Sequence, residues 1–331
     1  MPREPHPAVV GVTGASGALG RRVVSALRSR VERVVELGVD GADLKRTLES
    51  VDAVVHLAFA VGTERDDRVT AARNIDVTRR LLDAAGDAGV DHLVVLSSAA
   101  VYGAWPNNPV PLTEDAPMRP NPGFGFATQK AEIERLAGEW VDEHPGAALT
   151  ILRPAVPMDE EQVGFLSTVL GVRAPVATGD REVPVQFVHL DDLVDAVVHV
   201  TVGRLDGVFN VAADHWVSAA DARALAGAPP RVRVPDRLAK LLARAGHRAP
   251  GFTPYTLHPW VVATDRLRAT GWAPRHSNEE TVVETTEGMP WSRLTPKRRQ
   301  EVALGASVVG VAGAIVAAIA LVRRLRRRYE R

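Results

Sequence analysis

The sequence predicts an α/β fold: a doubly wound parallel sheet with a smaller C-terminal substrate lobe, followed by a C-terminal transmembrane helix. Three observations support this prediction. Short β-branched runs alternate with helical stretches, a glycine-rich turn follows the first run, and an uninterrupted apolar segment lies near the end of the chain. Alternating strands and helices are typical of parallel sheets joined by crossovers, which bind ligands at the carboxyl ends of the strands.

Each element of the first half has its own pattern. Strands are predicted where β-branched and apolar residues cluster, in AVVGVTG, VERVVEL, DAVVHLAFA, HLVVLSS and ALTILRP. Helices are predicted over residues 19–30, 44–49, 69–86 and 126–144. The connection from Gly103 to Gly125 is polar, rich in proline and too long for a simple turn, which indicates a loop over the ligand site.

After Pro154 the alternation loosens, although a helix at 191–202 and the strand GVFNVA continue it. We assign residues 1–290 to one globular domain, whose smaller lobe is drawn mainly from 155–185 and 213–290. Residues 291–301 are then a linker, and a basic tail occupies 323–331.

The composition excludes several classes of function. Lysine and arginine balance aspartate and glutamate at 40 each, so no overall field attracts nucleic acid, and we expect no such partner. The absence of cysteine excludes disulfides, cysteine-ligated zinc and a thiol nucleophile. The neighbouring His189, Asp191 and Asp192 could suggest a metal, but acidic residues that open a helix more often cap it, so no metal is expected.

Residues 302–322 form an apolar run of transmembrane length without a charge. The N-terminus shows no signal peptide, so we expect a tail anchor with the globular domain in the cytoplasm, although the arginines after the run favour a cytoplasmic C-terminus. Small residues spaced by four, at Ala306, Gly310 and Ala314, would permit helix pairing in the bilayer. A buried alanine-rich helix and an interfacial helix are the alternatives.

The first strand leads into TGASGALG, with glycines at three-residue spacing. Gly14 permits a tight turn, Gly17 lets the backbone approach a pyrophosphate, and Gly20 lets the following helix pack close to the strand. The N-terminus of that helix supplies N–H donors for an anion. The pattern therefore predicts a dinucleotide site, and the alternative is a glycine-rich turn that binds no nucleotide.

An ordered set of motifs resembles the extended short-chain dehydrogenase/reductases, which include NAD-dependent epimerases and dehydratases. The set is TGASGALG, DAVVHLAFA, NIDVTRRLLDAA, LVVLSSAAVYG, the pair Phe126 and Lys130, LRPA and VQFVHLDDL. The resemblance implies a Rossmann-like domain over most of the first 290 residues, an NAD or NADP cofactor and a homodimer built on the helices at 69–86 and 126–144. It also implies that the dinucleotide lies along Gly14, Ser16, Gly17, Ala18, Leu19 and Gly20, beside Ala58 and Phe59, with Asn74 in a supporting helix.

Catalysis in that family uses a tyrosine that exchanges a proton with the substrate and a lysine four residues later that holds the nicotinamide ribose. Ser98 matches the family serine that orients the substrate and Lys130 matches the lysine, but Phe126 occupies the tyrosine position. A missing general acid or base costs about two to four decades of rate. Tyr102 belongs to a strand-end loop and is not assigned the role, and Asp115 or water could substitute.

A further departure lies between the second and third predicted strands, where the family's adenosine-binding residues are compressed into a short segment. Glu36 or Asp40 could bind the adenosine ribose, which would favour NAD over NADP because a carboxylate repels a 2′-phosphate. Both could equally be surface charges. His56 is interpreted as a structural, hydrogen-bonded histidine, and Trp260 as lobe packing.

Three functions stay open at this point. The first is a membrane-anchored oxidoreductase or epimerase that acts on a sugar nucleotide, a steroid or another lipid-like alcohol. The second is a catalytically silent nucleotide-binding scaffold or redox sensor, which Phe126 favours. The third is a protein-contact module without a dinucleotide, which the intact glycine loop and Lys130 disfavour.

Overall fold

The computed structural model describes residues 6–38, 44–60, 67–158, 176–177, 183–228, 232–233 and 251–286. The chain divides into two compact units. The first unit comprises Met1–Asp159, Val183–Ser218 and Arg248–Thr281, and it contains every described residue assigned above to the cofactor or to catalysis. The second unit comprises Glu160–Glu182, Ala219–His247 and Val282–Arg331. The lobe boundaries inferred from the sequence stay a prediction.

The described strands are short and occur in chain order as follows. They are β1 Val9–Thr13, β2 Arg33–Leu37, β3 Ala53–His56, β4 His92–Leu96, β5 Ala148–Pro154, β6 Val156–Met158, β7 Val176–Ala177, β8 Pro184–Val185, β9 Phe187–His189, β10 Gly207–Val211, β11 Val217–Ser218 and β12 Val232–Arg233. The α-helices are α1 Ala18–Leu27, α2 Leu44–Leu48, α3 Asp67–Ala88, α4 Gly125–Glu143, α5 Leu190–Val202, α6 Ala219–Leu225, α7 Asp265–Arg268 and α8 Asn278–Thr286. Two 3₁₀ turns cover Ala99–Tyr102 and Thr253–Thr256.

Six strands of the first unit form one parallel sheet in the order β10-β5-β4-β3-β1-β2. The chain runs from β1 outward to β2 and then returns to the other side of β1 with β3. This reversal places the topological switch point between the carboxyl ends of β1 and β3, which is where doubly wound sheets bind their ligands.

Helices cover both faces of this sheet, as the sequence predicts. One core cluster packs α1 and α5 against the sheet through residues such as Val23, Leu27 and Leu193. The other packs α2, α3 and α4 against the opposite face through residues such as Leu48 and Leu81. Apolar β-branched side chains can face both layers because a parallel sheet is buried on both sides.

The predicted elements occur in the expected order, with shifts of a few residues at their ends. The largest difference concerns DAVVHLAFA, because β3 ends at His56 and the next four residues leave the sheet. The long connection after Gly103 contains no helix or regular strand before α4, although Leu112 makes an isolated bridge to Val262.

Smaller pairs complete the two units. In the first unit β6 pairs in parallel with β9, and β8 pairs in antiparallel with β11. In the second unit β7 pairs in parallel with β12. Among the described residues, no helix is long and apolar enough to cross a membrane. The apolar run at 302–322, the linker before it and the basic tail after it lie outside the described residues.

Candidate functional site

The glycine loop between β1 and α1 leaves room at only one of its three evenly spaced glycines. Gly14 has φ +68°, and a Cβ there would lie 2.8 Å from the nitrogen of Ala58. A Cβ on Gly20 would lie 2.1 Å from the carbonyl oxygen of Gly14, so both positions are closed by the fold. Gly17 differs, because its Cβ would meet only that same oxygen at 3.4 Å. Open space above Gly17 suits close approach of a pyrophosphate.

The remaining predicted loop residues lie at the start of α1. Gly17 is the N-cap of the helix, with Ala18 and Leu19 in its first turn. The carbonyl of the exposed Ser16 accepts a hydrogen bond from Arg21 Nη1 at 2.6 Å. The first turn contains no acidic residue, so the N–H groups at the start of the helix face an environment that suits an anion.

Ala58 and Phe59 lie directly beside this loop because side chains hold the end of β3. Thr13 Oγ1 accepts hydrogen bonds from the nitrogens of Leu57 and Ala58, at 3.2 and 3.1 Å. The Asn74 amide accepts from the nitrogen of Ala60 and donates to its carbonyl, at 2.9 and 2.8 Å. Asn74 lies in helix α3. Its two hydrogen bonds to Ala60 therefore fix the segment that carries Phe59.

His56 is structural, in agreement with the sequence interpretation. Its Nδ1 lies 2.8 Å from Thr13 Oγ1 and its Nε2 lies 3.0 Å from Thr78 Oγ1. Thr13 already accepts two N–H groups and Thr78 donates to the carbonyl of Asn74, which selects a neutral ring protonated at Nε2. Burial, helped by the nearby charge of Lys130, lowers the pKa of His56 to about 3.

Lys130 is buried in the second turn of α4, and its side chain reaches the end of β4. Its Nζ donates a 2.7 Å hydrogen bond to the carbonyl of Leu96 and lies 4.1 Å from the centre of the Phe59 ring. Burial lowers the pKa of Lys130 to about 7, with the negative charge of Glu134 acting in the opposite direction. An ammonium of this kind can bind a hydroxyl and can also exchange a proton near neutral pH.

Phe126 lies one helical turn before Lys130 and has no group that can exchange a proton. Its ring packs edge-on against Phe59, with the centroids 5.4 Å apart. Ser98 follows β4 and caps the 3₁₀ turn at 99–102 by accepting a hydrogen bond from the nitrogen of Ala100 at 3.2 Å. That bond uses a lone pair of the hydroxyl, whose proton can still be donated to another acceptor.

The two other acids considered from the sequence both have partners in the structure. Tyr102 is fully buried, donates to Asn210 Oδ1 at 2.8 Å and accepts from Arg153 Nη1 at 2.9 Å. Burial raises the pKa of its phenol. The exposed Asp115 is paired with Arg266 at 2.8 Å, and its role as a substitute for the phenol stays a prediction.

Sequence reasoning missed a buried ion pair next to the site. Both oxygens of Glu134 accept hydrogen bonds from Arg153, at 2.6 to 3.1 Å, and Ser97 Oγ also donates to Glu134. Glu134 lies one helical turn after Lys130, so the pair ties α4 to β5 and to the end of β4. The signal was the position of Glu134 on the same helical face as Phe126 and Lys130.

Sequence reasoning also missed an aromatic group around Phe126. Phe124 lies 5.7 Å from Phe126, 5.3 Å from Phe252 and 4.9 Å from Tyr255, measured between ring centroids. The FGF motif carried part of the signal, but the contribution of residues more than one hundred positions away requires the fold. Trp260 packs edge-on against Tyr255, in agreement with its packing interpretation.

The two candidates for the adenosine ribose are not distinguished. Glu36 lies in β2 and forms an exposed ion pair with Arg28 at 3.1 Å. Asp40 lies outside the described residues. At the start of α5, His189 caps the helix by accepting from the nitrogen of Asp191, while Asp192 accepts the backbone N–H groups of residues 275 and 276. These side chains have structural partners, although the cap of α5 is the histidine and not an aspartate.

The sheet is parallel and doubly wound, the glycine loop lies at its switch point, and Lys130 reaches the end of β4. Together these features define a dinucleotide-fold protein. Residues 10–212 match the NAD dependent epimerase/dehydratase family, and the chain belongs to that family.

Individual relatives support this assignment. A 3-diazoavenalumate denitrifying reductase from a Streptomyces species is 31% identical over 306 residues, which cover 80% of this chain and 95% of that protein. The structure also resembles the UDP-glucose 4-epimerase of Thermus thermophilus in complex with NAD, with a TM-score of 0.64, 21% identity and coverage of 87% of this chain and 100% of that one.

A third similarity concerns a mutant enzyme. It is a tyrosine-to-phenylalanine mutant of the UDP-glucuronic acid 4-epimerase of Bacillus cereus, in complex with UDP-4-deoxy-4-fluoro-glucuronic acid and NAD. The TM-score is 0.64 at 18% identity, with coverage of 84% of this chain and 98% of that one. At this identity the likeness concerns the fold alone.

Proposed function

We propose that the protein is an NAD(P)-dependent oxidoreductase whose site works without the phenol of the family. The observation that carries this proposal is the convergence of an open glycine loop and a buried lysine at the carboxyl ends of β1, β3 and β4. No other part of the described fold occupies the space above Gly17, whereas a side chain at this position would enter it. This space suits a dinucleotide. A bound nicotinamide would supply hydride chemistry.

The residues of this chain then have separate roles. The backbone at 16–19 holds the pyrophosphate, Ala58 and Phe59 border the cofactor, and Ser98 orients the substrate. Lys130 holds the nicotinamide ribose and, because its pKa lies near neutrality, carries the proton that the phenol would otherwise carry. The Phe59 ring, whose centre lies 4.1 Å from Nζ, covers one side of this ammonium.

Three facts about relatives support this function. The Streptomyces relative, which aligns over nearly its whole length, is a reductase. The epimerase from Thermus holds NAD, and the Bacillus mutant holds NAD and a sugar nucleotide although phenylalanine replaces a tyrosine. The family is NAD-dependent, and a titration with both dinucleotides decides between NAD and NADP.

Binding of NADH and NADPH to the full chain, followed by nicotinamide fluorescence, tests the proposal. Gly17→Val should weaken binding at least about tenfold, because its side chain enters the space above the loop, where the added Cβ meets only the carbonyl oxygen of Gly14, at 3.4 Å. Gly138→Ala is the matched control, since a Cβ at Gly138 in α4 meets nothing within 4 Å. Absence of binding by the parent, or equal binding by Gly17→Val and the parent, would overturn the proposal.

We also propose that residues 302–322 anchor this enzyme to a membrane with the globular domain on the cytoplasmic side. The length and apolarity of the segment in the sequence support this proposal. Extraction of membranes from expressing cells with alkaline carbonate tests it. The full chain should stay in the membrane pellet, whereas release into the supernatant would contradict the anchor.

A further inference from the structure

Six aromatic side chains of the first unit form a continuous row that begins at the site. In order, they are Phe59, Phe126, Phe124, Phe252, Tyr255 and Trp260. Successive ring centroids lie 5.4, 5.7, 5.3, 5.9 and 5.3 Å apart, and Phe124 also lies 4.9 Å from Tyr255. These are contact distances for aromatic pairs. Four of the chain's seven phenylalanines belong to this row, which we call the aromatic row.

The row starts where the chemistry is proposed. Lys130 Nζ lies over the ring of Phe59, and Phe126 lies one helical turn before Lys130. Phe59, Phe124 and Phe126 are partly exposed. Phe252 and Tyr255 are only 5% and 2% exposed, and both pack against Phe124. The part of the row next to Lys130 therefore keeps exposed ring surface, as does Trp260 at the other end.

A close approach of the backbone at Gly251 to the start of α4 brings the two halves of the row together. Gly251 has φ +79°, and a Cβ there would lie 2.2 Å from the carbonyl carbon of Gly123 and from the nitrogen of Phe124. Only glycine permits such close approach between two chain segments. This approach brings Phe252 and Tyr255 onto the start of α4, where Phe124 is the N-cap.

Polar atoms of the row are already used by the protein. Tyr255 donates its hydroxyl proton to the carbonyl of Ala100 at 2.7 Å, and Trp260 Nε1 donates to the carbonyl of Tyr255 at 3.0 Å. A sugar placed against these rings would find both N–H and O–H donors of the row already engaged, and any of its hydroxyls buried there without a partner would be costly. A planar aromatic group would instead gain ring contacts and bury apolar surface.

We propose that the aromatic row binds the planar aromatic part of the substrate, so that the enzyme acts on an aryl ketone or aryl alcohol and not on a sugar nucleotide. This inference rests on the proposed function, because an aryl ketone bound on the row can be reduced only beside a bound dinucleotide. The aryl ring would stack on Phe124 and Phe126, which places the adjoining carbonyl carbon next to Lys130.

Calorimetric titration of the full chain saturated with NAD⁺ tests the inference, with 2-acetylnaphthalene and UDP-glucose as the two probes. The ketone should bind and UDP-glucose should not. Phe124→Leu should weaken the ketone about tenfold while the affinity for NADH stays unchanged, because leucine keeps the apolar volume but loses the ring contacts. Phe124→Tyr should restore ketone binding. Trp216→Leu, an exposed aromatic residue outside the row, is the control and should have no effect.

The outcomes separate the two proposals. If NAD⁺ and UDP-glucose bind and the ketone does not, the aromatic inference is overturned and the oxidoreductase proposal stands. If the ketone binds equally to the parent and to Phe124→Leu, the row is not its site and the inference is again overturned. If neither dinucleotide binds the parent, both proposals fall.

Discussion

By the family resemblance Phe126 occupies the position of the catalytic tyrosine, and on this proposal Phe126→Tyr would add only the missing hydroxyl. We expect Phe126→Tyr to raise the rate of NADH-dependent reduction of 2-acetylnaphthalene at least about a hundredfold, because a phenol one turn before Lys130 is a better placed acid. The rate is measured from the loss of NADH absorbance. Phe124→Tyr adds the same phenol two residues earlier and is the matched control. An equal gain in both variants would show that position relative to Lys130 is irrelevant.

Helix α4 is held in place by the ion pair between Glu134 and Arg153, whose side chains are 2% and 6% exposed. Removal of one partner leaves the other charge buried and unpaired. We expect Glu134→Gln to lower the free energy of unfolding by about 3 to 5 kcal/mol, measured by urea denaturation.

An exposed ion pair supplies the comparison for this prediction. The side chains of Arg266 and Asp115 are 41% and 81% exposed, so Asp115→Asn should cost less than about 1 kcal/mol. Equal losses in the two variants would mean that the buried pair does not anchor α4.

The elements of the sheet were predictable because each is specified locally. A β-branched run such as the one in β5 reads as a buried strand, and the glycine spacing after β1 reads as a phosphate loop. The aromatic row and the pair of Glu134 with Arg153 were not predictable in the same way. Their members lie 19 residues apart or on distant segments, and only the packing of the folded chain brings them together.

At the end of β3 the local sequence pattern predicts a longer strand than the structure contains. The sequence DAVVHLAFA continues the apolar strand pattern to its end, yet the strand stops at His56. Thr13 and Asn74 capture the following backbone with their side chains, and these bonds replace the hydrogen bonds of the sheet. Local pattern reasoning cannot see such competition between side chains and a neighbouring strand.

At the scale of the whole molecule, a buried lysine links the site to global stability. The pKa of Lys130 is about 7 in the folded protein against 10.5 for a free lysine, so between these values the unfolded chain binds a proton that the folded chain does not. The free energy of unfolding of the parent therefore rises with pH between about 7 and 10.5. Below about pH 7 the lysine is charged in both states, and the folded protein bears the full cost of burying that charge.

Lys130→Met removes the ionisable group and keeps much of its apolar stem. We expect the variant to exceed the parent in unfolding free energy by about 3 to 5 kcal/mol at pH 6, and this difference to shrink steadily between pH 7 and pH 10. Urea denaturation of both proteins across this range measures the difference. Lys45→Met is the control, because Lys45 is an exposed lysine paired with Asp87 and carries no burial cost. A difference between Lys130→Met and the parent that stays constant with pH would show that Lys130 remains charged in the fold, which would remove its role as the proton carrier.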